Sequence, residues 1–406
     1  MGYQLSPGVN FTEIDLTTVV PASLTTAGAF AGYFKWGPVA KPTLIDSEIN
    51  LSKTFGQPDS NSFVSFFTSA NFLSYGNNLQ VVRAVGPNSV NSTANTSGIL
   101  VANKDVFQYS YLNNNNNFSY GPFVSRYPGA LGNSLTVVAF DDSSSSNFNN
   151  WAYKTYFPSA PSTSAYVAGM GGTNDEMHIA VIDTLGYFSG TKGAILETFP
   201  YVSKAYDAIN LNDGSTNYYK QVIFNNSNYI YAIDPVVSNT SIYSTAIQTW
   251  GTLSSNVSFY RANTSYSFSL VGGVDDANTD GALVSSTGGF GLFANKETTD
   301  ISLVLTGNAS TTVQQYVIDN VAGTRKDCVA FLSPPSSAVV NQAGNESTNI
   351  TTWLTGLNRT SSYVVADSGW KYQYDVYNNV YRWIPLNGDI AGLCVNTDNV
   401  ADPWYS

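Results

Sequence analysis

The chain has 406 residues, of which 43% are hydrophobic, an ordinary share, and only 11% charged. That length allows about two or three domains and a sizeable core. A formal net charge of −11, with no basic cluster denser than TRKD at 324–327, argues against gripping a nucleic-acid backbone, which needs grouped Lys and Arg.

Surface polarity must come from Asn, Ser, Thr and Tyr, neutral groups that repel one another weakly and pack readily against neighbours. Cys328 and Cys394 lie too far apart in sequence to suggest a disulfide scaffold. One opens an apolar run and the other lies on the last helical face, so both read as buried free thiols. The opening MGYQLSPGVNFTEIDL has neither the basic n-region nor the long apolar core of a signal peptide. No apolar run approaches the roughly 18 residues needed to cross a bilayer. The expectation is a soluble chain made in a cytoplasm, without membrane insertion. Asn-x-Ser/Thr sequons, as in NST at 91 and NRT at 358, would suit a secreted glycoprotein, but any chain this rich in Asn, Ser and Thr carries them.

In chain order, residues 1–20 read as an extended N-terminal arm. A Pro7-Gly8 turn signal precedes Val9 and Phe11, which alternate with polar neighbours as a strand does, yet no adjacent hairpin partner follows. Residues 21–88 read as the first part of an α/β core. AGAFAGYF is small and apolar, and KWGPVAKPTLI turns into a short strand. Phe63, Phe66, Phe67, Ala70 and Leu73 then share a helical face that stops at Gly76, and LQVVRAV at 79–85 is a buried strand.

Residues 89–299 change character. NNNNN at 113–117 and DDSSSSNFNN at 141–150 are loop compositions, separated and followed by β-type runs such as SLTVVAF, QVIFNN and NYIYAI. This stretch is expected to be a β-rich inserted domain.

Residues 300–406 return to α/β as the second part of the core. ISLVLTG (301–307), CVAFLSPP (328–335) and SYVVADSG (362–369) are short apolar runs of the kind found in buried parallel strands. Between the first two, Val313, Tyr316, Val317 and Val321 share a helical face, with Thr311 and Gln314 as a capping box and Gly323 as its end. Between the second and third, Ile350, Trp353, Leu354 and Leu357 form another face. The fold expected is an α/β core, a mostly parallel sheet flanked by helices and formed by both ends of the chain, with a β-rich inserted domain: α+β as a whole.

The core-like stretch WKYQYDVYNNVYRW (370–383) reads as a hairpin with a two-residue turn at Asn378-Asn379. That register puts Trp370, Tyr372, Tyr374 and Val376 on one face with Tyr381 and Trp383, and Asp375 directly opposite Arg382. A short helical signal at Ile390, Leu393 and Cys394 follows.

No chemistry stands out. His178 is the single histidine, without a second His or a Cys nearby to anchor zinc, and a lone His beside an apolar run is more often structural than a base. No nucleophile elbow or phosphate loop occurs. DANTDG at 276–281 matches the first half of a calcium loop through Asp276, Asn278, Asp280 and Gly281, but Thr287 stands where the bidentate Glu belongs, and a tight turn uses the same residues. No catalytic, metal or cofactor-binding residue is assigned. A structural or interaction protein is expected, not an enzyme.

Several blocks carry a resemblance. LSPGVNFTEID, AGAFAGYFKWGPVAKPTLI, FGQPD (55–59) and NFLSYGNNLQVVRAV (71–85) resemble the N-terminal part of contractile-tail sheath proteins of T-even-like bacteriophages. The likeness resumes at YPGALGNSLTV (127–137), LVGGVDD (270–276), RKDCVAFLSPP (325–335) and WKYQYD (370–375), and is strongest in YNNVYRWIPLNGDIAGLCVNTDNV (377–400).

The resemblance implies a virion protein, assembled in the host cytoplasm. Its subunits stack as hexameric rings around the tail tube in an extended, metastable helix. On a baseplate signal the sheath contracts, driving the tube through the host envelope. The implied partners are other copies of the chain, the tail tube protein, and baseplate and tail terminator proteins, with no cofactor and no direct nucleic acid.

Terminal arms that add strands to neighbours' sheets would give Pro7, Gly8, Val9, Phe11, Glu13 and Ile14 their use, as an inter-subunit exchange arm. Only about forty residues separate the VVRAV and YPG blocks, so the family's outward domain is expected to be absent. The stop at ADPWYS is expected to leave out its tube-facing C-terminal domain. The sheath of a phage-derived injection system or bacteriocin would share these mechanics. The alternative of another class is a secreted carbohydrate-binding or adhesin-type β protein.

Overall fold

The computed structural model describes residues 26–95, 98–112, 120–233, 250–262, 265–276 and 280–401. The apolar runs at the two ends of this range become strands of one sheet. β1 (Gly28–Gly32), β2 (Thr43–Ile45) and β3 (Leu79–Arg83) join β10 (Leu303–Leu305), β11 (Val329–Leu332) and β12 (Val364–Ala366) in the order β12-β11-β10-β1-β3-β2. Every pairing is parallel except β2 with β3, at one edge. Runs apolar on both sides suit this arrangement because helices cover both faces.

On one face lie α1 (Glu48–Phe55), capped by the Ser47 hydroxyl, and α2 (Phe63–Leu73). The single apolar stripe expected of α2 is too narrow a description. Residues 64–72 are all buried, because the sheet packs on one side of this helix and later elements pack on the other.

Between β3 and β10 the chain builds two further sheets. β4 (Phe123–Ser125) pairs with β8 (Ile230–Ala232). β5 (Leu135–Phe140), β6 (Glu176–Asp183), β7 (Ala194–Ser203) and β9 (Tyr266–Ser269) form an antiparallel sheet ordered β7-β6-β5-β9. QVIFNN, expected as a β-type run, is instead part of α3 (Tyr219–Asn226). Tyr219 and Ile223, one helical turn apart, are both fully buried, and that spacing outweighs the β propensity of Val and Ile.

Beyond β10, the cap of α4 (Thr311–Tyr316) is Ser310, whose hydroxyl accepts the Val313 N–H, and not Thr311. Gln314 is no cap either: it is buried, accepting from Trp353 Nε1 at 2.9 Å and donating to the Ser333 carbonyl at 2.9 Å. The helix runs past Gly323 through π-helical turns at Val317–Ala322 to Arg325, where Lys326 turns left-handed at φ 60°. α5 (Glu346–Leu357) covers the same face of the sheet through Trp353 and Leu357.

β13 (Trp370–Asp375) and β14 (Val380–Pro385) form the hairpin, and α6 (Asn387–Val400) follows. α6 lies against α2 through Gly388, Ala391, Gly392 and Val395, so Leu393 and Cys394 point outward. Close approach selects this face: a Cβ on Gly388 would sit 2.4 Å from the Thr68 carbonyl oxygen. Cys394 is therefore exposed, contrary to expectation, while Cys328 is buried. The whole is a mixed α/β architecture with parallel and antiparallel pairing. Among the described residues no helix is long and apolar enough to cross a membrane.

Candidate assembly surface

Open parallel sheets usually hold ligands beyond the carboxyl ends of the strands, where strand order reverses. Here that point lies between β1 and β10, and beside it Asn387 ties together the carboxyl ends of β10 and β11. Fully buried, Asn387 accepts the Gly307 N–H at 3.0 Å and donates to the Gly307 carbonyl and the Ser333 hydroxyl, both at 2.8 Å. Ser333 in turn donates to Asp367 Oδ2 at 2.6 Å, and burial pushes the Asp367 carboxyl up to about 6. This closed network fastens α6 and the hairpin onto the strand ends.

The hairpin presents a different kind of surface. Tyr374 stands opposite Tyr381 and Tyr372 opposite Trp383, with ring centroids 5.0–5.1 Å apart between neighbours. These residues are 58% (Tyr372), 42% (Tyr374), 56% (Tyr381) and 37% (Trp383) exposed. Val376 and Val380, which flank the turn, are exposed as well. The stretch that reads as core is a neutral aromatic face open to solvent.

Its register also differs from expectation. Asp375 pairs with Val380, and it is Gln373 that stands opposite Arg382. The cause is a four-residue turn organised by the buried Asp375 carboxylate, which accepts the N–H groups of Tyr377 at 3.0 Å and Asn378 at 3.1 Å. Tyr377 swings inward against Phe66, and its hydroxyl donates to Glu48 at 2.9 Å. Shifting by two residues keeps the aromatic face intact. It also leaves Arg382 close enough to donate to Asp375 diagonally, at 2.8 Å. The Asp-x-x-Asn spacing of an Asx turn was the available signal.

The arm residues Pro7, Gly8, Val9, Phe11, Glu13 and Ile14 lie outside the described residues. The described chain begins at Thr26, whose hydroxyl is hydrogen-bonded to Asp398 near the end of α6.

Other candidates are tied into local structure. His178 is buried, its Nε2 2.7 Å from the Ser159 carbonyl and its Nδ1 accepting the Tyr201 N–H at 3.1 Å. Of the calcium-loop residues, Asp276 accepts from the Asn88 backbone at 2.9 Å and Asp280 from the Ser310 hydroxyl at 2.7 Å, each serving a separate turn. Asn278 lies outside the described residues. Among the described residues, no group of three or more His, Cys, Asp or Glu could hold a metal.

The chain is similar over nearly its whole length to phage tail sheath proteins. It is 29% identical to that of Vibrio phage KVP40, covering 99% of this chain and 75% of the relative. It is 27% identical to that of Salmonella phage ViI (100% and 72% covered) and 26% identical to that of Enterobacteria phage T4 (99% and 74%). The alignment with the KVP40 protein runs over 523 positions, so that relative carries inserted residues which this 406-residue chain lacks. Among solved structures, a sheath tail protein from Listeria innocua matches with a TM-score of 0.46 at 10% identity, and the chain spans 57% of that protein's length. No family model matches.

Proposed function

We propose that this chain, similar over nearly its whole length to three phage tail sheath proteins, is a member of that family and the repeating subunit of a contractile sheath. Copies stack as hexameric rings around the tail tube, between baseplate and terminator proteins, and contract to drive the tube through the host envelope. Energy is held in the extended lattice, and each subunit moves between two packings of the same surfaces. The observation that carries this reading is similarity to three tail sheath proteins over 99% or more of the chain.

Immunogold electron microscopy of the source particles tests it. Label spaced along a tail that shortens and thickens on triggering is expected; label confined to a fibre, capsid or cell surface would sink the reading.

Pro7, Gly8, Val9, Phe11, Glu13 and Ile14 form the arm that crosses to a neighbouring copy, with Val9 and Phe11 as its apolar anchors and backbone amides supplying the ladder. Alternation without a sequence-adjacent partner supports this. Removing residues 1–16 is expected to abolish stable rods; rods that still assemble and contract would refute the exchange. The aromatic hairpin face packs against a second copy: its Tyr and Trp side chains bring no charge to that contact.

A further inference from the structure

The chain leaves the parallel sheet at Arg83, the last residue of β3, and re-enters it only at β10. We infer that Arg83 is a staple that makes the parallel sheet and the inserted stretch move as one rigid body. Motion during contraction then falls between subunits and not within one. The coupling stands on geometry alone, while its use in contraction rests on the proposed sheath function.

Two limbs join the inserted stretch to the sheet, and they are zipped together. Val90 pairs with Val274 and Thr93 with Val271, while Asp276 takes the Asn88 N–H and gives its own N–H to the Ser89 hydroxyl. A paired ribbon of this kind could bend like a strap.

The guanidinium of Arg83 ties the two bodies together beside the strap. Its side chain is 0% exposed. Nε donates to the Phe34 carbonyl at 2.8 Å and Nη1 to the Gly37 carbonyl at 3.0 Å, with Lys35 O at 3.5 Å from Nη2. These belong to the loop after β1. Nη2 also donates at 2.8 Å to the carbonyl of Pro128, in the inserted stretch.

The loop held in this way carries Trp36, which is buried with its ring 5.3 Å from Tyr127 and 4.9 Å from Phe188, inside the inserted stretch's core. Asp275, on the returning limb, lies near the guanidinium and favours its charge. Gly129 sits at φ +131°, and a Cβ there would meet Asp275 Oδ1 at 2.6 Å and Arg83 Nη2 at 3.3 Å. Burial pushes the guanidinium down to about 10, opposed by Asp275, so it stays charged at neutral pH and its donors stay directional. Both bodies therefore meet at one side chain, with Asp275 of the returning limb beside it.

Hydrogen exchange on the free 406-residue chain tests this without reference to assembly. Arg83→Met keeps length and apolar bulk but removes every donor. It is expected to speed amide exchange at least tenfold around residues 34–40 and 127–134, with protection in β5, β6, β10 and β11 unchanged, and to split thermal unfolding into two transitions. Gly129→Ala, which leaves the arginine in place but crowds it, serves if the first variant does not fold, and the same local signature is expected of it. Unchanged junction exchange in a folded variant would overturn the staple. So would a uniform loss of protection across both sheets, because Arg83 would then merely support the fold as a whole.

Discussion

At the residue scale, His178 shows how one ring can be read two ways. As the only histidine it invites a catalytic reading, but both ring nitrogens are committed: Nε2 to the Ser159 carbonyl, and Nδ1 as acceptor of the Tyr201 N–H. Only the neutral ring, with its proton on Nε2, satisfies both. Phe157 stacks on it at 4.4 Å, and burial lowers its pKa. The native state thus disfavours the proton. The stability His178 contributes is full above its unfolded pKa of about 6.5 and is lost as pH falls toward the depressed native value. Chemical denaturation between pH 7 and 5 should show the parent chain losing stability relative to a His178→Phe variant; parallel curves would mean that His178 does not titrate in this way.

At the element scale, the hairpin and the α2–α6 contact are decided by single side chains. Asp375 has four hydrogen-bond donors around it, including Arg382 Nε, and a fully buried side chain. Asp375→Ala should cost about 3 kcal/mol in urea unfolding, because it strands a largely buried guanidinium and uncaps the turn. A loss near zero would show that the aromatic pairs alone hold the register. Two helical glycines give opposite expectations. Gly388→Ala drives a methyl into the Thr68 carbonyl and should cost about 1–3 kcal/mol. Gly356→Ala, with nothing within 4 Å, should gain about 0.5–1 kcal/mol from helix propensity. Thermal melts of the pair check both signs.

At the scale of the whole molecule, an aromatic face left open is either an assembly surface or a liability. Replacing Tyr372 and Tyr381 by Ser should leave the melting temperature of the free chain within a few degrees, since both are more than half exposed. It should raise the concentration needed for polymerisation at least tenfold. Unchanged assembly, followed by light scattering, would remove the face from the subunit contact.

Much of the architecture was legible beforehand. The runs at 301–307, 328–335 and 362–369 hold the parallel strands β10, β11 and β12, and the similarity to a tail sheath protein covers 99% of the chain. Periodicity and composition are local properties, and a strand buried on both faces writes itself locally as an unbroken apolar run. What packs over a residue is not local. Asn387 closes the strand ends through Gly307, 80 residues away, and Arg83 reaches Pro128 across 45. The hairpin aromatics and Cys394 read as core but lie outside, because the faces that met α2 were the ones bearing Asp375, Ile384 and small residues. Placement of the buried parallel strands and the likeness to tail sheath proteins were determined by the sequence itself. Which groups became buried ties and which became surface was decided only by tertiary packing, since burial depends on what arrives from elsewhere in the chain.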